Sequence, residues 1–303
     1  MLLTGILFVC VTGIVRYLGS SLPAIEAAFI RYACGVVLIL PVLVRVRRRL
    51  PRGRALGLSV VRGMIHGVAV MLWFYAMARI PIAEVTAIGY TAPIFTTLGA
   101  ALFLGERLHA RRIAAVVFGF IGVLVILRPG FEIIKLGALA QLLAAPFFAA
   151  SFLIAKKLTE TLDPSVIVAA LSVFTTAALV PGAILQWRNP SLGELFWLFL
   201  TAGFATLGHY TLTRALQAAP ITLTQPVSYL QLVWACLLGI IAFGEALDIW
   251  VITGAGIIVI AISYISHRET VVAARVRTPA FRTPSLTDLY STRNRPFQDQ
   301  ESG

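Results

Sequence analysis

The sequence predicts an all-α polytopic membrane protein with ten transmembrane helices, and three observations support this. Of 303 residues, 59% are hydrophobic and 13% are charged, whereas a soluble chain of this size carries about 25% charged residues. The mean hydropathy is +0.90. The apolar residues fall into ten runs of about 20 residues, which is the length a helix needs to cross a bilayer. The runs also divide into two sets of five that align with each other, so we expect two inverted five-helix repeats.

The first repeat is predicted to occupy residues 1–130. Its first helix begins at Leu2 without a basic segment and without an Ala-x-Ala cleavage site, so it is interpreted as a spanning helix and not as a signal peptide. Charged residues, Pro and Gly mark the ends of the others. The predicted helices are 2–18, 23–44, 58–78, 82–104 and 111–128.

The second repeat is predicted to occupy residues 131–267. Its helices are expected at 135–155, 165–186, 193–213, 221–243 and 249–267. Beyond His267 the composition becomes polar and Thr-Pro pairs recur, which predicts a disordered cytoplasmic tail over 268–303.

The net charge of +12 is spread between the apolar runs and forms no single patch, so no nucleic-acid partner is predicted. Basic residues concentrate in the loops on one side of the membrane, and such loops face the cytoplasm. Both termini are therefore predicted to be cytoplasmic. The inside loops carry Arg45, Arg47, Arg48, Arg49, Arg52, Arg54, Arg107, Arg111, Arg112, Lys156, Lys157 and Arg214.

The repeat appears when the sequence is aligned with itself at a shift of 139 residues. Tyr90 then aligns with Tyr229, and Gly105-Glu106 aligns with Gly244-Glu245. Because each unit holds five helices, the second copy must cross the membrane in the opposite sense. The flanking charge agrees, since a basic stretch follows Glu106 while Asp248 is the first charge after Glu245. Such inverted halves are typical of secondary transporters that work by alternating access.

Several segments carry a family resemblance: Phe74-Tyr75-Ala76-Met77-Ala78-Arg79-Ile80-Pro81, Thr91-Ala92-Pro93-Ile94-Phe95, Leu104-Gly105-Glu106-Arg107 and Leu127-Arg128-Pro129-Gly130. Over residues 1–267 the chain resembles the EamA family of the drug/metabolite transporter superfamily. It is most similar to bacterial inner-membrane members assigned to riboflavin or S-adenosylmethionine uptake. Other similar members export amino acids or related metabolites. The resemblance thus implies a multi-pass carrier of a small organic metabolite in the bacterial inner membrane, with its direction left open.

Candidate substrate-binding residues are aromatic or polar side chains inside the predicted spans, where such groups are costly. Tyr90 and Tyr229 lie at equivalent depths in helices four and nine. Pro93 and Pro226 are expected to interrupt the same two helices, and the carbonyls freed there must find partners in protein or in a water-filled cavity. The alternative is that these residues only shape packing.

Helix nine is the most polar span, and Gln225, Ser228 and Tyr229 share one of its faces, with Trp234 following. On helix three, Trp73 and Tyr75 are deep enough to stack on a flat heterocycle such as flavin or adenine. Helix-helix hydrogen bonds and lipid-facing aromatic rings are the alternatives.

The ionisable candidates for ion coupling are Glu84, His66 and His209, each with a structural alternative: a first-turn helix carboxylate for Glu84 and hydrogen-bonded structure for the histidines. Arg62 lies one turn before His66 and is expected to reach toward the headgroups. Glu26 and Arg31 are placed for a mutual ion pair only if their helix bends. Gly63 and Gly67 predict close helix packing.

No nucleotide-binding loop, zinc-protease motif or calcium loop is present, so we predict no enzyme activity, no cofactor and no metal site. Cys10, Cys34 and Cys236 lie in apolar runs and are predicted to be free thiols. The predicted partners are a small-molecule substrate and the lipid bilayer, with the chain as a monomer or homodimer. An intramembrane enzyme, or a scaffold that binds a partner through the tail, remains an alternative.

Overall fold

A computed structural model describes residues 1–46, 51–92, 94–95, 110–128, 135–218 and 230–277. These residues form ten α-helices, and the prediction of an all-helical polytopic protein is confirmed. The first five are α1 (Leu2–Leu18), α2 (Ala24–Val46), α3 (Gly53–Met77), α4 (Ile82–Gly89) and α5 (Ala110–Leu127). The others are α6 (Leu136–Leu158), α7 (Pro164–Leu185), α8 (Leu192–Ala218), α9 (Leu230–Phe243) and α10 (Ile249–Arg277).

The outer surface of this bundle is apolar, as a lipid-facing surface must be. Leu185 and Leu192 are 84% and 86% exposed, and Ile241 is 80% exposed. Five helices, α2, α3, α6, α7 and α8, are long and apolar enough to cross a membrane on their own. The remaining apolar segments in the described residues are shorter. Exposed apolar side chains in this number would promote aggregation in water, whereas a bilayer solvates them.

Helix α4 ends at Gly89, well before the predicted end at residue 104. The Tyr90 amide donates to the carbonyls of Thr86 and Ala87, and the Thr91 amide donates to Ile88 O at 3.0 Å, which closes a turn. Pro93 has no N–H to donate to Gly89 O, which weakens a helix at this point. Helices α2, α6 and α7 nevertheless continue through Pro41, Pro146 and Pro181, and residues 92, 94 and 95 are again helical. The break agrees with the predicted interruption by Pro93, while residues 96–109 lie outside the described part of the chain.

The last helix differs from its prediction, because α10 continues ten residues past the expected end and stops at Arg277. The segment 268–277 contains Glu, Ala, Val and Arg but neither Gly nor Pro, so nothing in it breaks a helix. The described helix therefore extends into the segment for which the sequence predicted disorder. Residues 278–303 lie outside the described residues.

Close packing between helices depends on glycine at a few positions. A methyl group at Gly63 of α3 would come within 2.4 Å of Phe174 Cβ and 2.8 Å of its backbone carbon. Gly122 of α5 and Gly254 of α10 approach each other in the same way, with each glycine against the other's carbonyl oxygen. The helix pairs in contact include α3 with α6 and α7, α8 with α1 and α2, α5 with α10, and α4 with α9.

Candidate binding cavity

A cavity of about 340 Å³ lies inside the bundle, within the size range typical of small-molecule sites. Helices α1, α2, α3, α4, α6, α8 and α9 all contribute to its wall. On α1 the lining begins at Met1 and ends at Thr12, about one turn before Arg16. The cavity is therefore shared by helices from both halves of the chain.

Aromatic rings form much of the wall. The lining rings include Phe8, Trp73, Phe74, Tyr90, Phe148 and Phe152. His66 stands among them, with its ring centroid 5.4 Å from that of Phe148 and 5.3 Å from that of His209. Edge contacts of this kind hold the rings in fixed orientations, so the wall offers flat apolar surfaces.

The charged lining residues in the described part of the chain are two arginines, Arg31 and Arg62. Two histidines, His66 and His209, accompany them, and neither aspartate nor glutamate is found among the described lining residues. The cavity thus combines aromatic walls with excess positive charge.

Arg62 and His66 are fixed by the neighbouring helices. Arg62 Nε donates to Ser151 O at 3.2 Å, and its Nη1 donates to Ile167 O at 3.5 Å. His66 Nδ1 is hydrogen-bonded to Ser151 Oγ at 3.0 Å. Arg62 is 4% exposed, so the prediction that it reaches toward the headgroups is wrong. Backbone carbonyls of α6 and α7 satisfy it in the interior instead.

Arg31 is held differently, because its guanidinium stacks on the Tyr32 ring with Cζ 4.0 Å from the ring centroid. The side chain is 6% exposed, yet neither its Nε nor its Nη1 has an acceptor on the described residues. The Tyr32 hydroxyl, His66 Nε2 and Gln141 Oε1 are also buried without partners. Glu26, considered above as a partner for Arg31, instead accepts the Arg188 amide at 3.0 Å. Hydrogen-bonding capacity is therefore left unused beside the cavity.

Beyond the end of the cavity nearest Arg16, a cluster of contacts ties four chain segments together. We call this cluster the Arg16 clamp. Arg16 Nη2 pairs with Glu245 Oε1 at 2.8 Å, and Nη1 donates to Met77 O at 3.0 Å and to Ile80 O at 3.2 Å. Glu245 Oε2 accepts the Ile82 amide at 2.9 Å. This carboxylate satisfies one of the free N–H groups at the start of α4.

Of the residues predicted from sequence, Trp73, Tyr90, His66 and His209 line the cavity. Tyr75 is not a lining residue. The Arg79 guanidinium lies over its ring, with Cζ 3.6 Å from the ring centroid. Trp234 is 47% exposed and also lies off the wall.

The fourth span contributes a further candidate, Glu84, which lies in the first turn of α4. Its carboxylate is paired with Lys135 at 3.6 Å and it does not line the large cavity. Gln225, Ser228 and Tyr229 lie outside the described residues.

Sequence reasoning weighed Arg31 and Arg62 but did not place them in the site, and it overlooked Tyr32 and Gln141. One local signal was available for the first helices. Helix α2 carries Arg31 next to Tyr32, and helix α3 carries Arg62 one helical turn before His66. Ionisable and polar groups of this kind are costly inside a membrane span. Gln141 is likewise a lone amide in an alanine-rich stretch of α6.

A lipid-facing helical bundle around one polar and aromatic cavity, with no soluble domain among its described residues, defines a multi-pass membrane transporter. The family model of the EamA-like transporter family matches residues 1–128 and 135–267. The chain belongs to this family.

Three curated relatives have sequences similar over most of the chain. A riboflavin transporter of Vibrio cholerae is 32% identical over 287 residues, covering 92% of this chain and 96% of the relative. An S-adenosylmethionine uptake transporter of Rickettsia bellii is 28% identical, with 84% and 87% covered. A pseudopaline exporter of Pseudomonas aeruginosa is 27% identical, with 88% and 94% covered.

The fold is also similar to a solved protein crystal structure, with a TM-score of 0.55 and 19% sequence identity. The match covers 91% of this chain and 99% of the other. At this identity the likeness concerns the fold alone.

Proposed function

We propose that this protein is a secondary carrier of a small organic metabolite in the bacterial inner membrane, and that riboflavin is the first substrate to test. The cavity is the single observation that carries the proposal. It is large enough for a drug-sized molecule, it has aromatic walls, and it is shared by helices from residues 1–130 and 131–267. S-adenosylmethionine is the second candidate substrate, since one group of relatives bears that name.

Alternating access requires two halves that move against each other, and we propose that these are the two five-helix repeats in inverted orientation. The helix contacts support this. If α1 to α5 are exchanged with α6 to α10 in order, the pair α3–α6 becomes α8–α1 and the pair α3–α7 becomes α8–α2. Each of these pairs is in contact.

One pair of side-chain contacts follows the same exchange. Arg16, near the end of α1, donates to Met77 O, and Lys156, near the end of α6, donates to Leu216 O at 2.6 Å. Met77 and Leu216 are separated by the 139-residue shift of the repeat. Arg16 and Lys156 are 140 residues apart, one more than the shift, and each lies near the C-terminal end of its helix. Similarly placed cations thus bind equivalent carbonyls in the two halves, which supports a two-fold relation between them.

The basic loops support a cytoplasmic location for both termini. With that orientation, the cavity lining that reaches Met1 and Leu216 lies on the cytoplasmic side, and the Arg16 clamp lies on the outer side. The described conformation is then one in which the outer end is closed.

The decisive experiment is transport by the purified full chain in proteoliposomes. Vesicles preloaded with unlabelled riboflavin should accumulate labelled riboflavin from outside, and protein-free vesicles should not. Unlabelled S-adenosylmethionine and a panel of amino acids would be added as competitors. If no compound in the panel is exchanged or competes, the carrier proposal fails.

Export is the second candidate direction, because one relative is named as an exporter. Cells that cannot make riboflavin and cells that make it separate the two directions. Growth rescue of the former at low external riboflavin supports uptake, whereas release of riboflavin to the medium by cells that make it supports export. Deleting residues 278–303 tests the scaffold alternative, since a carrier should retain its flux without them.

A further inference from the structure

We propose that Arg31 is the substrate anchor of this cavity, and that the cavity accepts flat heteroaromatic molecules with an acceptor-rich edge, uncharged or anionic, while rejecting cations. This inference rests on the proposed transport through the cavity and narrows its substrate class. Four observations lead to it: the charge of the lining, the distinct states of the two arginines, the unused donors beside Arg31, and the aromatic walls.

The first observation is that the described carboxylates near the cavity are engaged elsewhere. Glu26 accepts the Arg188 amide through Oε2, while its Oε1 is buried without a partner among the described residues. Glu84 pairs with Lys135, and Glu245 pairs with Arg16. None of them is a lining residue. A cationic substrate beside Arg31 and Arg62 would therefore meet like charge. The effective dielectric there is low, so the repulsion is stronger than in water.

The second observation separates the two arginines. Arg62 donates to two backbone carbonyls, so its main role is to join α3 to α6 and α7. Arg31 has only the Tyr32 ring beneath it, with Nε and Nη1 buried and without acceptors among the described residues. A buried guanidinium with free N–H groups is costly unless an acceptor binds it. Arg31 is thus the arginine that is available to a ligand.

The third observation is that other free groups surround the same space. The Tyr32 hydroxyl and His66 Nε2 are buried without partners, and both residues line the cavity together with Arg31. The Tyr32 and His66 rings are 6.0 Å apart, centroid to centroid. A carbonyl oxygen of a pyrimidinedione ring can accept from the guanidinium, and the Tyr32 hydroxyl can donate to a further acceptor of the same ring. His66 Nε2 donates or accepts according to its tautomer.

The fourth observation is the aromatic wall, which provides stacking surface for the remainder of such a ring. Riboflavin satisfies both requirements, because its isoalloxazine is flat, uncharged and ends in a pyrimidinedione. S-adenosylmethionine carries a sulfonium cation and an ammonium group against a single carboxylate, so it is a net cation and the lining disfavours it. The charge of the cavity therefore separates the two substrate candidates that sequence similarity leaves together.

The first test uses the unmodified full chain and needs no variant. Binding and proteoliposome exchange would be measured with riboflavin and orotate, which present carbonyl edges, and with thiamine and S-adenosylmethionine, which are cationic. The proposal expects the first pair to bind at least tenfold more tightly than the second. Preferred binding of either cation overturns it. If orotate-like molecules are exchanged and riboflavin is not, the riboflavin assignment fails while the charge selectivity stands.

The second test concerns Arg31 itself. In Arg31→Gln, riboflavin affinity should fall by roughly tenfold to a hundredfold, the loss expected for a charge-assisted hydrogen bond, and discrimination against thiamine should narrow. Arg31→Lys keeps the charge without the fork, so it should weaken riboflavin binding but preserve the rejection of cations. Arg54→Gln, an exposed arginine on α3, is the matched control and should behave as the unmodified protein.

Folding of each variant would be checked by monodispersity in detergent. If Arg31→Gln does not fold, the role of Arg31 is decided by Arg31→Lys measured with riboflavin, orotate, thiamine and S-adenosylmethionine. Unchanged riboflavin affinity in a folded Arg31→Lys or Arg31→Gln protein overturns the assignment of the anchor.

Discussion

Two tryptophans that were predicted to bind substrate occupy different environments. Trp73 lines the cavity, with its ring 5.4 Å from that of Phe74, whereas Trp234 is 47% exposed on α9. We expect Trp73→Ala to raise the riboflavin KM about tenfold, because loss of a stacking surface costs about 1 kcal/mol or more. Trp234→Ala is the matched control and should stay within about twofold in proteoliposome exchange. Equal effects of the two substitutions would contradict the assignment of the wall.

Gly63 and Gly57 provide a matched pair for packing on α3. In Gly63→Ala the new methyl group would lie 2.4 Å from Phe174 Cβ, so α3 and α7 must separate, and overpacking of this kind costs about 1–3 kcal/mol. At Gly57 nothing lies within 4 Å, and alanine favours a helix over glycine by about 1 kcal/mol. Thermal unfolding in detergent should show a lower midpoint for Gly63→Ala and an unchanged or higher one for Gly57→Ala. An undiminished midpoint in Gly63→Ala would be inconsistent with the close contact.

At the scale of single residues, the sequence predicts which side chains are unusual but not what they touch. Trp73, Tyr90, His66 and His209 stand out as polar or aromatic groups within spans, and all four line the cavity. The state of Arg62 depends on carbonyls 89 and 105 residues away along the chain. Contacts at such separations are set by how the helices pack, so local reasoning could not distinguish Arg62 from Arg31.

The helix ends around the Arg16 clamp link elements that are distant in sequence. Glu245 follows α9, yet one of its oxygens accepts the amide of the first residue of α4 and the other pairs with Arg16 at the end of α1. In Glu245→Gln the ion pair is lost while an acceptor for Ile82 remains. We expect this end of the cavity to open more often, because one of the contacts that favour the closed arrangement is removed.

The measurement is labelling of a cysteine introduced at Thr12, a lining residue one turn from Arg16, in a chain whose native cysteines are replaced by serine. A membrane-impermeant maleimide should react several times faster in Glu245→Gln than in the parent chain. Lys157→Gln removes an ion pair between exposed residues and is the control that should leave the rate unchanged. If the two substitutions give equal labelling rates, the clamp does not close this end.

At the scale of helices, the apolar runs predict the ten helices well, since the need to satisfy backbone hydrogen bonds in lipid leaves few other solutions. The prediction fails where apolarity is not the deciding factor. Helix α4 ends at Gly89, where the Thr91 amide bonds to Ile88 O and closes a turn, and α10 continues to Arg277 through a mixed stretch that lacks Gly and Pro. Hydropathy measures preference for lipid, and it does not report where a helix ends in water.

The orientation of the whole molecule can be tested with loops that lie among the described residues. The basic-loop pattern predicts that Glu160, between α6 and α7, is cytoplasmic and that Asn189, between α7 and α8, is outside. Alkaline phosphatase is active only outside the cytoplasm. Fusions truncated after Asn189 should therefore be active, and fusions truncated after Glu160 should not. The reverse pattern would place the Arg16 clamp on the cytoplasmic side.

At the scale of the whole molecule, sequence patterns predict the family and the all-helical fold seen in the described residues, because each depends on periodic or dispersed features, while the inverted repeat stays a prediction. The cavity could not be predicted in the same way. It is formed by seven helices, and its positive charge depends on which side chains the packing of these helices places on its wall. The net charge of +12 reports orientation, whereas the charge that bears on selectivity belongs to Arg31 and Arg62.

The contacts of Arg16 with Met77 and of Lys156 with Leu216 are both present in the described conformation. If the two halves of the carrier are built alike, the inward-open and outward-open arrangements differ little in free energy. Little intrinsic bias would then favour either arrangement, and the concentration ratio of the solute would set the direction of net flux. We therefore expect reversible exchange in proteoliposomes.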